Sequence, residues 1–180
     1  MKFYGSAMPW PHSQGAFSTL ILVGAEQCEP LAPQVSFAEG ACAEPLAVAL
    51  HGVTQAGELR GRRVLVTGAG PIGLMVIAAA RWAGAAEIVA IDLHAPALEK
   101  AVVLGATRAI NVSAEPEALG RDYAAEKGLF DAAFECSGAT GIFRDIAPVL
   151  RPRGALVQLG MGGDLAVPAN LLVGKEIRWQ

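Results

Sequence analysis

The stretch Arg63-Val-Leu-Val-Thr-Gly-Ala-Gly-Pro-Ile-Gly73 decides the fold of this 180-residue chain. Its first five residues form a short apolar run of the kind found in strands that are buried on both faces of a parallel sheet. The glycines that follow fit the pattern G-x-G-x-x-G, and an apolar helical segment begins directly after them. A strand, this glycine turn and a helix, in that order, predict a loop that binds the diphosphate of a dinucleotide.

Each residue of the glycine turn has a physical reason to be there. Gly68 permits the tight turn, Gly70 lets a pyrophosphate approach the backbone, and Gly73 lets the helix lie close to the strand. Pro71 and Ile72 open the helix, where the first N–H groups have no partner within the helix. Those amides and the helix dipole favour an anionic group. The alternative interpretation is a glycine turn that only permits the strand and the helix to pack together.

Asp92 ends the second apolar run and strengthens the dinucleotide interpretation. An acidic residue is expected roughly 20 residues after the glycine turn, where its carboxylate accepts hydrogen bonds from the adenosine ribose. It also repels a 2′-phosphate, so NAD is predicted to bind in preference to NADP. Leu93 follows it and is a further cofactor-binding candidate. The alternative role of Asp92 is to cap the helix predicted to include Pro96.

The rest of the chain alternates strands and helices. The pattern predicts helices over residues 44–55, 72–82, 96–104 and 142–150, strands over 63–67, 87–91, 109–112, 132–135 and 155–159, and one more strand over 176–179. Residues 115–127 fit either a helix or a loop. This alternation is typical of the α/β class with a doubly wound parallel sheet, a Rossmann domain of about six strands. We assign residues 41–180 to this NAD-binding domain.

Two later turns are also predicted to contact the cofactor. The first is Cys136, Ser137 and Gly138 after the fourth strand, and the second is Leu159, Gly160 and Met161 after the fifth. Ligands of such sheets lie beyond the carboxyl ends of the strands, where both turns are expected. Ordinary turn chemistry is the alternative for any one of these residues.

Residues 1–40 differ from the rest because they show no helical period. Residues 18–23 are predicted to form a strand of a β-rich unit. Forty residues of this kind cannot bury a core by themselves. We therefore interpret residues 1–40 as a short β-rich remnant of a larger neighbouring domain.

The composition excludes several classes of function. With 53% hydrophobic and 17% charged residues the chain can fill a core, which argues against disorder. A net charge of −3 without a basic cluster argues against a nucleic-acid partner. The apolar stretches are too short to cross a membrane. The three widely spaced cysteines predict free thiols in a cytoplasmic protein, and without a CxxC pair they cannot form a four-cysteine zinc site.

Taken together, several motifs resemble the zinc-containing medium-chain dehydrogenases, and among them the sorbitol dehydrogenase branch. These motifs are Glu44-Pro-Leu-Ala-Val48, the glycine turn, Asp92-Leu93, Phe134-Glu-Cys-Ser-Gly138 and Leu159-Gly-Met161. The segments Phe3-Tyr-Gly-Ser-Ala-Met8 and Gly160-Met-Gly-Gly163 most resemble a sugar-acid dehydrogenase of that branch. The resemblance implies a sugar-acid or polyol substrate, NAD, zinc in the full-length enzyme and a homodimer or homotetramer. It also implies that residues 1–40 are a remnant of a GroES-like catalytic domain and that the chain alone is inactive.

By the same resemblance, Glu44 matches a glutamate that faces the zinc, either as a ligand or bonded to the metal-bound water. The alternative for Glu44 is a carboxylate in the first turn of a helix, which the helix dipole favours. At Ala97 this sequence departs from sorbitol dehydrogenases, which often have an arginine there that covers the adenine. The residues leave two other functions open. One is a stand-alone NAD-binding or sensing module, and the other a zinc-free quinone reductase-like enzyme, which Asp92 and Glu44 disfavour.

Overall fold

A computed structural model describes residues 4–6 and 10–180, which divide into two compact units, Met1–Ala41 and Cys42–Gln180. The second unit contains a six-stranded sheet in the order β3-β2-β1-β4-β5-β6, and every neighbouring pair is parallel. Helices cover both faces of this sheet, as the two core clusters below show. The predicted doubly wound α/β fold is therefore confirmed.

The strands are β1 (Arg63–Thr67), β2 (Glu87–Asp92), β3 (Arg108–Asn111), β4 (Phe130–Glu135), β5 (Leu150–Gln158) and β6 (Arg178–Trp179). The helices are α1 (Phe37–Ala41), α2 (Ala43–Ala56), α3 (Pro71–Trp82), α4 (Ala95–Val103), α5 (Ala118–Tyr123), α6 (Phe143–Val149) and α7 (Ala169–Gly174). Short 3-10 turns lie at Ala25–Gln27 and Ala125–Lys127.

The apolar runs form strands because both of their faces are buried. Successive side chains of a strand point to opposite faces of the sheet. Val64 and Val66 accordingly pack into the core under α2, α3 and α4, whereas Leu65 packs into the core under α5 and α6. A run without polar residues is therefore what a central strand of this sheet requires.

The strand order places the cofactor crevice. β1 pairs with β2 on one side and with β4 on the other. From β1 the strand order therefore runs outward in opposite directions, to β3 on one side and to β6 on the other. This is the topological switch point of the sheet, and ligands of such folds bind outside the carboxyl ends of the strands there.

Two predicted segments are refined by the structure. Residues 115–127 contain α5 and the 3-10 turn that follows it. The fifth strand begins at Leu150 rather than at residue 155, because Phe130 of β4 pairs with Leu150 before a shift in register. Helix α6 therefore ends at Val149, one residue earlier than predicted.

The predicted strand over residues 18–23 is wrong. That segment is irregular, and in the described part of the chain its hydrogen bonds are local, such as the 2.8 Å bonds from Ser18 to the carbonyl oxygens of Ala16 and Leu20. β-prone residues form a strand only when a neighbouring strand pairs with them. Nor does any other described residue of the first unit form a β-strand, so the expected β-rich character is absent from residues 4–6 and 10–41.

Among residues 4–6 and 10–180, no helix has both the length and the apolar character needed to cross a lipid bilayer.

Candidate cofactor-binding site

A cavity of about 550 Å³ lies at the carboxyl ends of β1, β2 and β4. Its volume is in the range of small-molecule sites. Residues at the ends of these three strands, one residue after β3, and residues before and within α6 line it. They are Thr67, Gly68, Gly70, Ile91, Asp92, Leu93, His94, Val112, Cys136, Ser137, Ala139, Gly141, Ile142 and Asp145.

The glycine elbow, residues 68–73, has the geometry that its sequence predicts. Gly68 has φ +83°, a conformation that side chains other than glycine rarely adopt. A Cβ atom at Gly73 would lie 1.9 Å from the carbonyl oxygen of Gly68, whereas one at Gly70 would meet nothing within 4 Å. Gly70 is the N-cap of α3 and offers no side-chain hydrogen bond, so the first amides of the helix remain available to an anion.

The Asp92 carboxylate is fixed between the glycine elbow and the end of β2. One oxygen accepts the N–H of Ala69 at 2.7 Å, and the other accepts the N–H of His94 at 2.9 Å. His94, not Asp92, is the N-cap of α4, so the capping alternative does not describe this side chain. Each carboxylate oxygen has a further lone pair that can accept a ribose hydroxyl. Leu93 is exposed and lines the cavity beside it.

Sequence reasoning missed Glu135, a fully buried carboxylate at the end of β4. Its Oε1 accepts the N–H of Ser137 at 2.7 Å, the Oγ–H of Ser137 at 2.6 Å and the N–H of Gly138 at 2.9 Å. Thr67 Oγ1 lies 3.4 Å from the same oxygen. These donors of the 136–138 turn therefore serve the protein rather than a ligand. The signal that could have revealed Glu135 is an acidic residue at the end of an otherwise apolar strand.

The turns after β4 and β5 touch each other through glycines. A Cβ atom at Gly160 would lie 2.4 Å from the nitrogen of Gly138, and one at Gly162 would lie 2.0 Å from the carbonyl oxygen of Gly138. Leu159 packs against the core that includes α2, and Met161 is almost fully exposed. Only glycine backbone lets these two turns approach so closely.

The structure therefore brings together part of the predicted cofactor set. Gly68, Gly70, Asp92, Leu93, Cys136 and Ser137 line the cavity. The other predicted residues do not line it, and their roles toward a cofactor stay predictions. They are Pro71, Ile72, Gly73, Gly138, Leu159, Gly160 and Met161.

Two side chains of the cavity have a raised pKa. Burial raises the pKa of the Cys136 thiol, and the nearby charge of Glu135 raises it further. Burial also raises the pKa of Asp145. A thiol that stays protonated is a poor nucleophile, so the raised pKa disfavours covalent chemistry at Cys136.

Glu44 lies exposed in the first turn of α2. Among residues 4–6 and 10–180, no group of three His, Cys, Asp or Glu side chains is arranged to hold a metal ion. A single carboxylate cannot hold zinc, so the described residues do not fit a zinc site.

A glycine elbow and an acidic residue at the switch point of a parallel sheet define a dinucleotide-binding domain. Residues 71–180 match the family described as zinc-binding dehydrogenase, and the chain belongs to that family.

Two similar proteins and one solved structure illustrate the relationship. The chain is 43% identical to L-idonate 5-dehydrogenase (NAD(P)(+)) of Escherichia coli K12, over 98% of this chain and 51% of that protein. It is 36% identical to human sorbitol dehydrogenase, over 77% of this chain and 39% of that protein. A crystal structure of L-idonate 5-dehydrogenase from Escherichia coli superimposes with a TM-score of 0.92 at 41% identity, over 99% of this chain and 51% of that one. The chain thus spans about half the length of the curated relatives it matches.

Proposed function

We propose that this chain is the NAD-binding domain of a zinc-dependent polyol or sugar-acid dehydrogenase that oxidises L-idonate to 5-keto-D-gluconate. The observation that carries the proposal is the glycine elbow with Asp92 beside it, both lining one cavity. The 43% identity to an L-idonate 5-dehydrogenase supports the choice of substrate, as do the segments Phe3–Met8 and Gly160–Gly163. In this reaction a hydride passes from the substrate to the nicotinamide of NAD.

The described residues bind and orient the cofactor. The free amides at the start of α3 and the open space over Gly70 accommodate the diphosphate. The Asp92 carboxylate, held by two backbone N–H groups, accepts hydrogen bonds from the adenosine ribose and repels a 2′-phosphate. Leu93 supplies an apolar surface for the adenine. We therefore propose NAD as the preferred cofactor.

We propose the following domain organisation, metal contact and assembly for the whole protein. Residues 1–40 would be the remnant of a GroES-like catalytic domain, and residues 41–180 the NAD-binding domain. The resemblance of residues 44–48 to zinc-containing dehydrogenases supports the further proposal that Glu44 faces a zinc ion in the intact enzyme.

We further propose that the whole protein is a cytoplasmic homodimer or homotetramer. The position of β6 supports this assembly, because β6 lies at one end of the strand order and presents an edge with which a second copy can pair.

Calorimetric titration of this chain with NADH and with NADPH tests the proposal. We expect NADH to bind, NADPH to bind more weakly, and the substitution Asp92→Ala to narrow the difference because it removes the repulsive carboxylate. Glu99→Ala is the matched control, since Glu99 is an exposed acid on α4 that does not line the cavity. Equal affinity of the unmodified chain for both cofactors would contradict the preference for NAD. Failure to bind either would contradict the proposed function.

A further inference from the structure

Glu135 is a buried acid in the middle of the carboxyl edge of the sheet, next to Thr67 of β1. Removing a carboxylate from water is costly unless hydrogen-bond donors surround it. The ladder of β4 does not need this side chain, because its backbone pairs with β1 and β5 along its length. We therefore expect the buried Glu135 side chain to have a role other than forming the strand.

Apart from Thr67 Oγ1, which lies 3.4 Å from Oε1, the Glu135 carboxylate contacts the two turns beside the cavity. Oε1 collects three donors of Ser137 and Gly138 at 2.6 to 2.9 Å and so fixes the path of the 136–138 turn. Oε2 has no hydrogen-bond partner in the described part of the chain and faces Gly160. A Cβ atom at Gly160 would lie 2.5 Å from that oxygen. One carboxylate thus sets the position of the first turn and limits the approach of the second.

The first of these turns shares the cavity with the elbow through Cys136 and Ser137, whereas Leu159, Gly160 and Met161 do not line it. The elbow and Asp92 lie at the ends of β1 and β2, on the side of the sheet that holds the adenosine and the diphosphate. The turns after β4 and β5 lie across the switch point, on the side where the second nucleoside of a dinucleotide binds. Because Glu135 accepts hydrogen bonds from the 136–138 turn and none from the elbow, its removal should act more on that nucleoside than on the diphosphate.

We infer that Glu135 is a positioning residue for the nicotinamide riboside half of the cofactor. This inference rests on the proposed function. Glu135 acts through Ser137 and Gly138, whose donors it holds, and does not line the cavity. Removal of the Glu135 carboxylate frees these donors and lets the 136–138 turn move. The nicotinamide half of the cofactor then loses a protein surface against which it packs, whereas the amides at the start of α3 still bind the diphosphate.

The test compares the affinities of this chain for NADH and for ADP, which has the adenosine and the diphosphate but lacks the second nucleoside. Glu135→Leu has a similar volume and no acceptor. We expect it to raise the Kd of NADH about tenfold or more, and that of ADP less than about threefold. Glu135→Gln keeps an acceptor oxygen for the three donors and should stay within about threefold of the native chain for both ligands. The fluorescence of bound NADH, which reports the surroundings of the nicotinamide, should change only in Glu135→Leu.

Equal losses of NADH and ADP affinity in Glu135→Leu would overturn the inference, because they indicate general damage to the fold. A Glu135→Gln chain that behaves like Glu135→Leu would also overturn it. If Glu135→Leu does not fold, Gly160→Ala decides, since its methyl group presses on Gly138 and Glu135 without emptying the buried site. It should show the same split between the ligands, and an equal loss of both would overturn the inference. A native chain that binds neither ligand contradicts the proposed function instead.

Discussion

The two ends of the parallel sheet differ in the residues that hold them together. At the carboxyl end, the elbow, the 136–138 turn and residues 160–162 are held close by glycines, and amides at the start of α3 are left available. At the amino end, side chains satisfy one another. Asp131 accepts the N–H of Arg63 at 2.7 Å and pairs with Arg62 and Arg151, while Arg63 also pairs with Glu87. One end is arranged for a ligand, and the other supports the fold.

Lys175 shows how far the amino end relies on internal contacts. Its ammonium is buried, and its three N–H groups are shared among four carbonyl oxygens at 2.5 to 2.9 Å, those of Lys127, Ala147, Pro148 and Leu150. The last carbonyls of a helix have no partner within the helix. Lys175 supplies that partner for α6 and ties it to the 3-10 turn before β4 and to the first residue of β5.

The substitution Gly73→Ala should give the largest effect and should break the carboxyl end. Its methyl group would meet the carbonyl oxygen of Gly68 at 1.9 Å, so the elbow must open. We expect NADH affinity to fall by about 100-fold or more, because a displacement of about 1 Å at a binding loop can have that effect. Calorimetric titration measures the affinity, and thermal unfolding shows whether the chain still folds.

Gly120→Ala is the matched control for this prediction. A Cβ atom there would meet nothing within 4 Å, and Gly120 lies on α5, away from the elbow. It should leave NADH affinity unchanged. Native affinity in a folded Gly73→Ala chain would show that the diphosphate does not bind at the elbow.

The substitution Lys175→Met should have the next largest effect and should act on stability alone. It leaves four buried or partly buried carbonyl oxygens without their shared donor. We expect the free energy of unfolding to fall by about 3 kcal/mol, since each unsatisfied buried group costs about 1 kcal/mol or more. NADH affinity at a temperature where the chain is folded should not change.

Denaturant unfolding measures the effect of Lys175→Met, and Lys100→Met provides the comparison. Lys100 is exposed in the last turn of α4, so its substitution should change the free energy of unfolding by less than about 0.5 kcal/mol. If both substitutions had the same small effect, the carbonyl contacts of Lys175 would not stabilise the fold. If Lys175→Met weakened NADH binding in the folded chain, the division between the two ends of the sheet would fail.

The difference between the two ends also explains what could be predicted from the sequence. The strand, the glycine elbow and Asp92 follow from residues adjacent in the chain or from a fixed spacing, so their pattern is visible without the structure. Lys175 gains its role from partners brought together by folding, such as Leu150. Glu135 bonds to its neighbours Ser137 and Gly138, but folding alone brings Gly160 against it and buries it. The predicted strand over residues 18–23 was wrong for the same reason, since β-propensity does not specify a pairing partner.

The substitution Asp131→Asn should have the smallest effect and sharpens the comparison, because this acid and Asp92 differ in purpose. The amide introduced by the substitution would keep an acceptor for the N–H of Arg63 but lose the charge that faces Arg62 and Arg151. We expect a loss of about 1 kcal/mol in the free energy of unfolding, and a smaller loss at about 1 M salt, because salt screens partly exposed ion pairs.

The preference for NADH over NADPH should not change in Asp131→Asn, whereas Asp92→Ala changes that preference. Denaturant unfolding at low and high salt, with both cofactors titrated in parallel, measures the two properties. An altered cofactor preference in Asp131→Asn would mean that charge at the amino end reaches the binding crevice, and the two ends could no longer be treated as separate.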